Sequence, residues 1–251
     1  MHGRLAVYDR SLIGYRKAQA GMSNSPYRRS AVRGLYAITD GPRSDLLDVV
    51  AAALRGRARV VQYRDKTNDA ERRRSEAASI AALCRQHGAL FIVNDDVELA
   101  LAVGADGVHL GEDDADIAIA RESLGGAAII GVSCYDSLER AQDVATRGAG
   151  YLAFGAFFAS RSKLTPRRAT TKMIADARAF GLPLVAVGGI DADNAAPLIS
   201  AGADCIAVIS ALFGAPDVEM QARKLSSLFD LASRQTAAGV SPFSLPKKGR
   251  E

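Results

Sequence analysis

Tryptophan is absent and aromatic residues make up only 6% of the 251 residues, so small aliphatics, mainly Ala, Val, Leu and Ile, must build the core. Cysteine is scarce. Cys84, Cys134 and Cys205 are odd in number and far apart, and no CxxC occurs. That excludes a disulfide framework and fits a reducing compartment, so a cytoplasmic protein is expected. No apolar run approaches the ~20 residues of a membrane span. An apolar secretory core is also missing from the N-terminus, so no membrane partner is expected. Basic residues are not clustered on one folded face, which argues against a nucleic-acid partner.

The net charge of +4 is uneven. Residues 1–33 carry seven Lys or Arg against the single acid Asp9, and the remainder is slightly acidic. This stretch is Arg-rich and acid-poor, a weak likeness to a transit peptide. A flexible extension, or a start placed upstream of Met22, is the plainer expectation. A chain of 251 residues is long for one ordinary domain but normal for an α/β barrel.

The body reads as strand then helix, repeated. The strands are expected at Leu35–Thr39, Val60–Arg64, Leu90–Asn94, Gly107–Leu110, Ile129–Ser133, Tyr151–Ala156, Leu184–Gly188 and Ile206–Ser210. They are short and rich in Val, Ile, Leu and Ala, as strands covered on both faces should be. Helical patterns lie between them, and "VGADGV", "RGAGYLA" and "AGADCIAV" each place a helix-ending Gly before the next strand. Eight such units over about 200 residues point to a (β/α)8 TIM barrel. The competitor, an open doubly wound sheet, usually shows GxGxxG after its first strand, and "LYAITDGPRS" has none. The expected domains are a basic extension (1–33), a catalytic barrel (34–235) and a flexible tail (236–251).

Barrel chemistry sits at the C-terminal strand ends. "VVQYRDK" alternates Gln62, Arg64 and Lys66 toward one side. The third strand ends in Asn94-Asp95-Asp96 and the fourth runs into Gly111-Glu112-Asp113-Asp114. Ser133 ends the fifth, and Ser160-Arg161-Ser162-Lys163 follows the sixth. Gly188-Gly189 and Ile209-Ser210 end the last two. Cations and hydroxyls (Arg64, Lys66, Ser133, Lys163) thus adjoin carboxylates (Asp95, Asp114). That mixture suggests Mg²⁺ with a diphosphate. The turns after strands seven and eight suggest a second, metal-free phosphate cradle. Blander roles are expected nearby. Asp96 and Asp113 fit helix caps. Mid-strand His109 fits a hydrogen-bonded core residue, Cys134 fits packing, and "ERRRSE" fits a solvated helix face.

"LYAITD", "VVQYRDK", "FIVNDD", "GADGVHLGEDD", "IIGVSCY", "FGAFFASRSK", "PLVAVGGI" and "GADCIAVISAL" together resemble the thiamine phosphate synthase family, in order and spacing from Leu35 to Phe213. The resemblance implies a transferase of thiamine biosynthesis. Its small-molecule substrates are an aminopyrimidine diphosphate and a thiazole phosphate, joined with loss of diphosphate. It implies that Gln62, Arg64, Lys66 and Asn94 hold the pyrimidine diphosphate, with Gln62 nearest the ring. Asp95 and Asp114 would ligate Mg²⁺, and Ser133 and Lys163 would contact the diphosphate. Ser160 and Ser162 would meet the thiazole phosphate, cradled by the backbone of Gly189, Ile209 and Ser210. Arg64, Lys66, Ser133 and Lys163 would carry catalysis. A homo-oligomer is compatible with the reading.

Three features depart from the family pattern. Ser-Arg-Ser-Lys replaces Thr-x-Thr-Lys, Glu112 stands where Gln is common, and the N-terminal extension has no counterpart. The alternatives are a thiazole tautomerase-like enzyme and a non-catalytic regulator of the pathway on the same barrel. The presence of Arg64, Lys66, Asp95, Asp114 and Lys163 argues for the synthase.

Overall fold

The computed structural model describes residues 31–114, 116–159 and 167–237, with side chains as far as residue 232. Eight parallel strands close into a barrel in chain order. They are β1 Gly34–Ile38, β2 Val60–Tyr63, β3 Leu90–Asn94, β4 Gly107–Leu110, β5 Ile129–Tyr135, β6 Tyr151–Phe154, β7 Leu184–Val187 and β8 Cys205–Val208. The helices are α1 Leu46–Arg55, α2 Ala70–His87, α3 Val97–Val103, α4 Ile117–Leu124, α5 Leu138–Thr146, α6 Thr171–Ala177, α7 Ala196–Ser200, α8 Ser210–Phe213 and α9 Val218–Ala237. The pairing of Leu35 with Ile206 joins β1 to β8 and excludes the open sheet.

Period two divides every strand. Leu35, Ala37, Val61, Phe91, Val93, Val108, Ile130 and Val132 point outward into the main core, against Leu46, Val50, Ile80 and Leu225 of the helices. Each large aliphatic buried there contributes about 1.5–3 kcal/mol over leaving it in water. The alternate residues fill the lumen. Val32, Val60, Ile92, Ile129, Val185 and Cys205 belong to an apolar inner cluster. Residues 1–30 and 238–251, part of the expected extension and tail, lie outside the described residues, whereas Val32 is already buried.

The repeated glycine phrase has a physical role. Gly104 (φ +64°) and Gly202 (φ +107°) turn the chain out of a helix in the left-handed region. Two residues later Asp106 accepts from the Phe91 N–H and Asp204 from the Leu184 N–H, both at 2.9 Å. The acids therefore satisfy the first part of β3 and β7, half a barrel apart.

Several boundaries differ from the sequence expectation. β8 stops at Val208, and Ile209-Ser210 already turn into α8. β5 continues to Tyr135 through a bulge. The helix before β8 begins only at Ala196, because Asp191 accepts from the backbone of Asp193 and Asn194 and holds a turn there. Asp96 caps α3 by accepting from Leu99. Asp113 does not cap α4; Asp116 does, accepting from Ala118. "ERRRSE" is also not merely solvated. Arg72 reaches the buried Asp65 at 2.7 Å and Arg73 reaches Asp96 at 2.9 Å. Among the described residues, no helix is long and apolar enough to cross a membrane.

Candidate active site

A cavity of about 620 Å³ opens at the C-terminal end of the barrel. Ten of the thirteen residues expected at the site line it: Gln62, Arg64, Lys66, Asn94, Asp95, Asp114, Ser133, Gly189, Ile209 and Ser210. The other three, Ser160, Ser162 and Lys163, lie outside the described residues.

β2 ends at Tyr63, yet Gln62, Arg64 and Lys66 all reach the cavity. The loop beyond the strand is held from behind. Arg64 N–H donates to Thr39 Oγ1 at 2.8 Å, and the same hydroxyl donates to Arg64 O at 3.1 Å. Asp65 turns away from the cavity. Its oxygens accept from Thr67 N–H at 2.8 Å and pair with Arg72, which also grips Glu76. Burial opposes the charge on Asp65, but these donors outweigh it and hold the carboxyl below its usual range. The alternation thus survives past the strand because every second residue is anchored outside.

At the ends of β3 and β4 the two acids meet. Asp95 sits at φ +61°, a region costly for a residue with a Cβ, by about 1–3 kcal/mol. The Lys66 ammonium lies on Asp95 Oδ2. Asp114 accepts from Gly111 N–H at 2.5 Å. Burial first, and then the facing Asp95 carboxyl, push the Asp114 acid above its ordinary range. Two carboxyls crowded together with one cationic head on them suit a hard divalent cation. Among the described residues, no three or more His, Cys, Asp or Glu converge to enclose a metal. Such a pair fits Mg²⁺, which takes few carboxylates and completes its shell with water and phosphate oxygens.

On the far side, Gly188 (φ +106°) and Gly189 (φ +65°) form a turn that a side chain would strain. A Cβ on Gly189 would lie 2.4 Å from Ala159 O. Asn194 Nδ2 donates to Gly189 O at 3.0 Å and fixes the turn. Ile209 and Ser210 begin the one-turn α8 beside it.

Sequence reasoning missed several lining residues: Tyr36, Tyr135, Tyr151 and, as a cavity residue, His109. The available signal was period two, since Tyr36 alternates with outward Leu35 and Ala37. His109 is hydrogen-bonded as expected, to Tyr151 Oη and Ser133 Oγ, both at 2.9 Å. Arg140, on α5, ties the strand ends together by donating to Ser133 O at 2.8 Å and Gly111 O at 3.2 Å. Arg167 pairs with Glu112 at 2.9 Å, its guanidinium 4.3 Å above the Tyr135 ring. The acid at 112 thus has a partner on the chain that follows β6.

A (β/α)8 barrel with facing carboxylates, the cations Arg64 and Lys66 and a glycine turn at its mouth defines a class: an enzyme that handles phosphorylated small molecules. The sequence profile described as thiamine monophosphate synthase matches residues 35–212. A thiamine-phosphate synthase of Chromobacterium violaceum is 55% identical over 200 residues, 79% of this chain and 97% of the relative. Another, of Halorhodospira halophila, is 53% identical over 197 residues, 78% of this chain and 94% of the relative. A solved thiamine phosphate pyrophosphorylase of Pyrococcus furiosus superposes with TM-score 0.73 at 35% identity, covering 82% of this chain and 98% of that one. The chain belongs to the thiamine monophosphate synthase family.

Proposed function

We infer that the protein is a transferase that joins an aminopyrimidine diphosphate to a thiazole phosphate, giving thiamine phosphate and diphosphate. The observation that carries this reading is the single cavity in which Gln62, Arg64, Lys66, Asp95 and Asp114 adjoin the Gly188-Gly189 turn. Family membership supplies the substrates.

The chemistry asks little of acids and bases. The bond between the pyrimidine methylene carbon and the diphosphate oxygen breaks, and its electron pair leaves with diphosphate. An electron-rich aminopyrimidine tolerates the resulting cation. The thiazole nitrogen then gives its lone pair to that carbon. The protein must neutralise the leaving group and hold two substrates in line. Arg64 and Lys66 donate to the diphosphate, joined by Ser133 and by Lys163 from outside the described residues. Gln62 and Asn94 orient the pyrimidine. Gly189, Ile209 and Ser210 present backbone N–H groups to the thiazole phosphate, a role that Ser160 and Ser162, outside the described residues, would share. Asp95 and Asp114 would hold Mg²⁺, which when bound supplies Lewis-acid neutralisation of the leaving group. Lys66, paired with Asp95 here, would turn to the phosphate oxygens of a bound diphosphate.

A tautomerase-like or regulatory relative would have no use for the diphosphate residues, so their convergence in one cavity favours the synthase. The test mixes purified protein with both substrates, with and without Mg²⁺, and follows thiamine phosphate by oxidation to fluorescent thiochrome. Mg²⁺-dependent product is expected. No product from folded protein under either condition contradicts the reading.

A further inference from the structure

Deep in the cavity, five polar side chains from five different strands join end to end. Gln62 Nε2 donates to Tyr36 Oη at 2.8 Å, and Tyr36 Oη meets Tyr151 Oη at 2.8 Å. Tyr151 Oη meets His109 Nδ1, and His109 Nε2 meets Ser133 Oγ, both at 2.9 Å. The rings are fixed by packing. Tyr36 stands edge-on to Tyr151, and His109 stacks on Tyr151 with planes 15° apart. Gly131 makes room for the arrangement. It lies between His109 and Tyr151 in register, and a Cβ there would fall 1.9 Å from Tyr151 Cζ.

We propose that this chain is a one-way hydrogen-bond relay, in which the Gln62 amide sets the direction and neutral His109, protonated on Nε2, aims the Ser133 hydroxyl proton at the bound anion. It rests on the reading that Gln62 meets the heterocycle and Ser133 the diphosphate. Proton counting carries the argument. Gln62 gives an N–H to Tyr36. Tyr36 has one proton to give, and its other described partner is Tyr151. Tyr151 accepts it and passes its own proton to Nδ1. An imidazole that accepts at Nδ1 carries its proton on Nε2 and donates to Ser133. The Ser133 proton is left for the ligand. Reversing the middle bond would leave the Tyr36 proton without an acceptor among its described partners, on a residue only 1% exposed. Burial foremost raises the pKa of both tyrosines, so both remain hydroxyls.

The relay has a consequence for selection of substrate. With one of its two N–H groups committed to Tyr36, Gln62 still offers Oε1 and a second N–H, and so suits a heterocycle that presents a donor beside an acceptor. A ligand that instead drew Oε1 round onto the Tyr36 hydroxyl would reverse every bond and point the Ser133 proton back at His109. Recognition of the ring and stabilisation of the leaving group are thereby coupled. His109 acts as a positioning residue, not as a proton donor to substrate.

The test is nitrogen NMR of the His109 imidazole in the ligand-free protein, with the signal assigned by its loss in His109→Gln. The parent is expected to show the neutral Nε2–H form. In Gln62→Glu, whose carboxylate only accepts, the Nδ1–H form is expected. In that variant kcat/KM for the pyrimidine diphosphate falls about 10- to 100-fold, while KM for the thiazole phosphate stays within about twofold. An Nδ1–H form in the parent, or an unchanged form in Gln62→Glu, overturns the relay. Where Gln62→Glu does not fold, Tyr151→Phe cuts the chain at its centre, and a retained Nε2–H preference there overturns it. A parent that makes no thiamine phosphate would defeat the proposed function, while the NMR result would still decide the relay.

Discussion

Aspartates stand at both ends of this barrel and are used in opposite ways. At the closed end, Asp106 and Asp204 each accept from the N–H of a strand, Phe91 and Leu184, at 2.9 Å. At the open end, Asp95 and Asp114 face one another with Lys66 across Asp95, and the Asp95 backbone is held at φ +61°. The first pair spends its acceptors on the fold. The second pair keeps crowded charge in a cavity and tolerates backbone strain to do so. The same residue type therefore marks stability at one end and chemistry at the other, and the neighbours make the difference.

Substitutions at the two ends should separate these roles. The largest effect is expected at the mouth: Arg64→Ala lowers turnover about 100-fold or more in the thiochrome assay, the scale of losing one electrostatic stabiliser, with unfolding by urea little changed. Equal turnover would remove Arg64 from the leaving-group site. Lys163→Ala is expected to match it. Next, Gly131→Ala forces a Cβ into Tyr151. It should cost about 1–3 kcal/mol in urea unfolding as well as activity, since it strikes lumen packing and site together. At the closed end, Asp106→Ala leaves the Phe91 N–H without its acceptor. A stability loss of about 1–3 kcal/mol with unchanged KM values is expected, and a selective loss of turnover would break the comparison.

A smaller effect comes from pH. Asp65, held low by Thr67 and Arg72 against the cost of burial, contributes stability above the ordinary carboxylate value. That contribution is lost as pH falls through its depressed value, so it fades below about pH 4. Asp204 is shifted the other way, raised chiefly by burial. Its contribution is present below the ordinary value and is lost as pH rises through the raised one. Urea unfolding of Asp65→Asn and Asp204→Asn across acid pH should therefore show slopes that differ from the parent in opposite senses.

The barrel itself was legible because strands buried on both faces read as short aliphatic runs, and because Gly104 and Gly202 punctuate the same phrase. The mouth acids were legible because the runs of β3 and β4 each give way to an acid cluster, one with Asp95 and one with Asp114. The deeper layer was not, for a specific reason. Tyr36 and Tyr151 sit inside strands and meet only when residues 115 apart in sequence close across the lumen. Arg72 and Arg73 looked solvated because helical spacing shows which face they share but not that Asp65 and Asp96 lie across from it. Asp113 had the composition of a cap, yet the helix began three residues too late for it. Local propensity names candidates, and the three-dimensional neighbour decides between them.

The account's central claim is that Asp95 and Asp114 form one Mg²⁺ site for the leaving diphosphate. Its most direct test is the Mg²⁺ dependence of thiamine phosphate formation in the parent and in Asp114→Asn. The account predicts no product after chelation. It also predicts that Asp114→Asn needs about tenfold more Mg²⁺ or beyond for half-maximal rate, the order of effect expected when a metal site loses a charged ligand. Product in chelator, or superimposable Mg²⁺ curves for the two proteins, would contradict it.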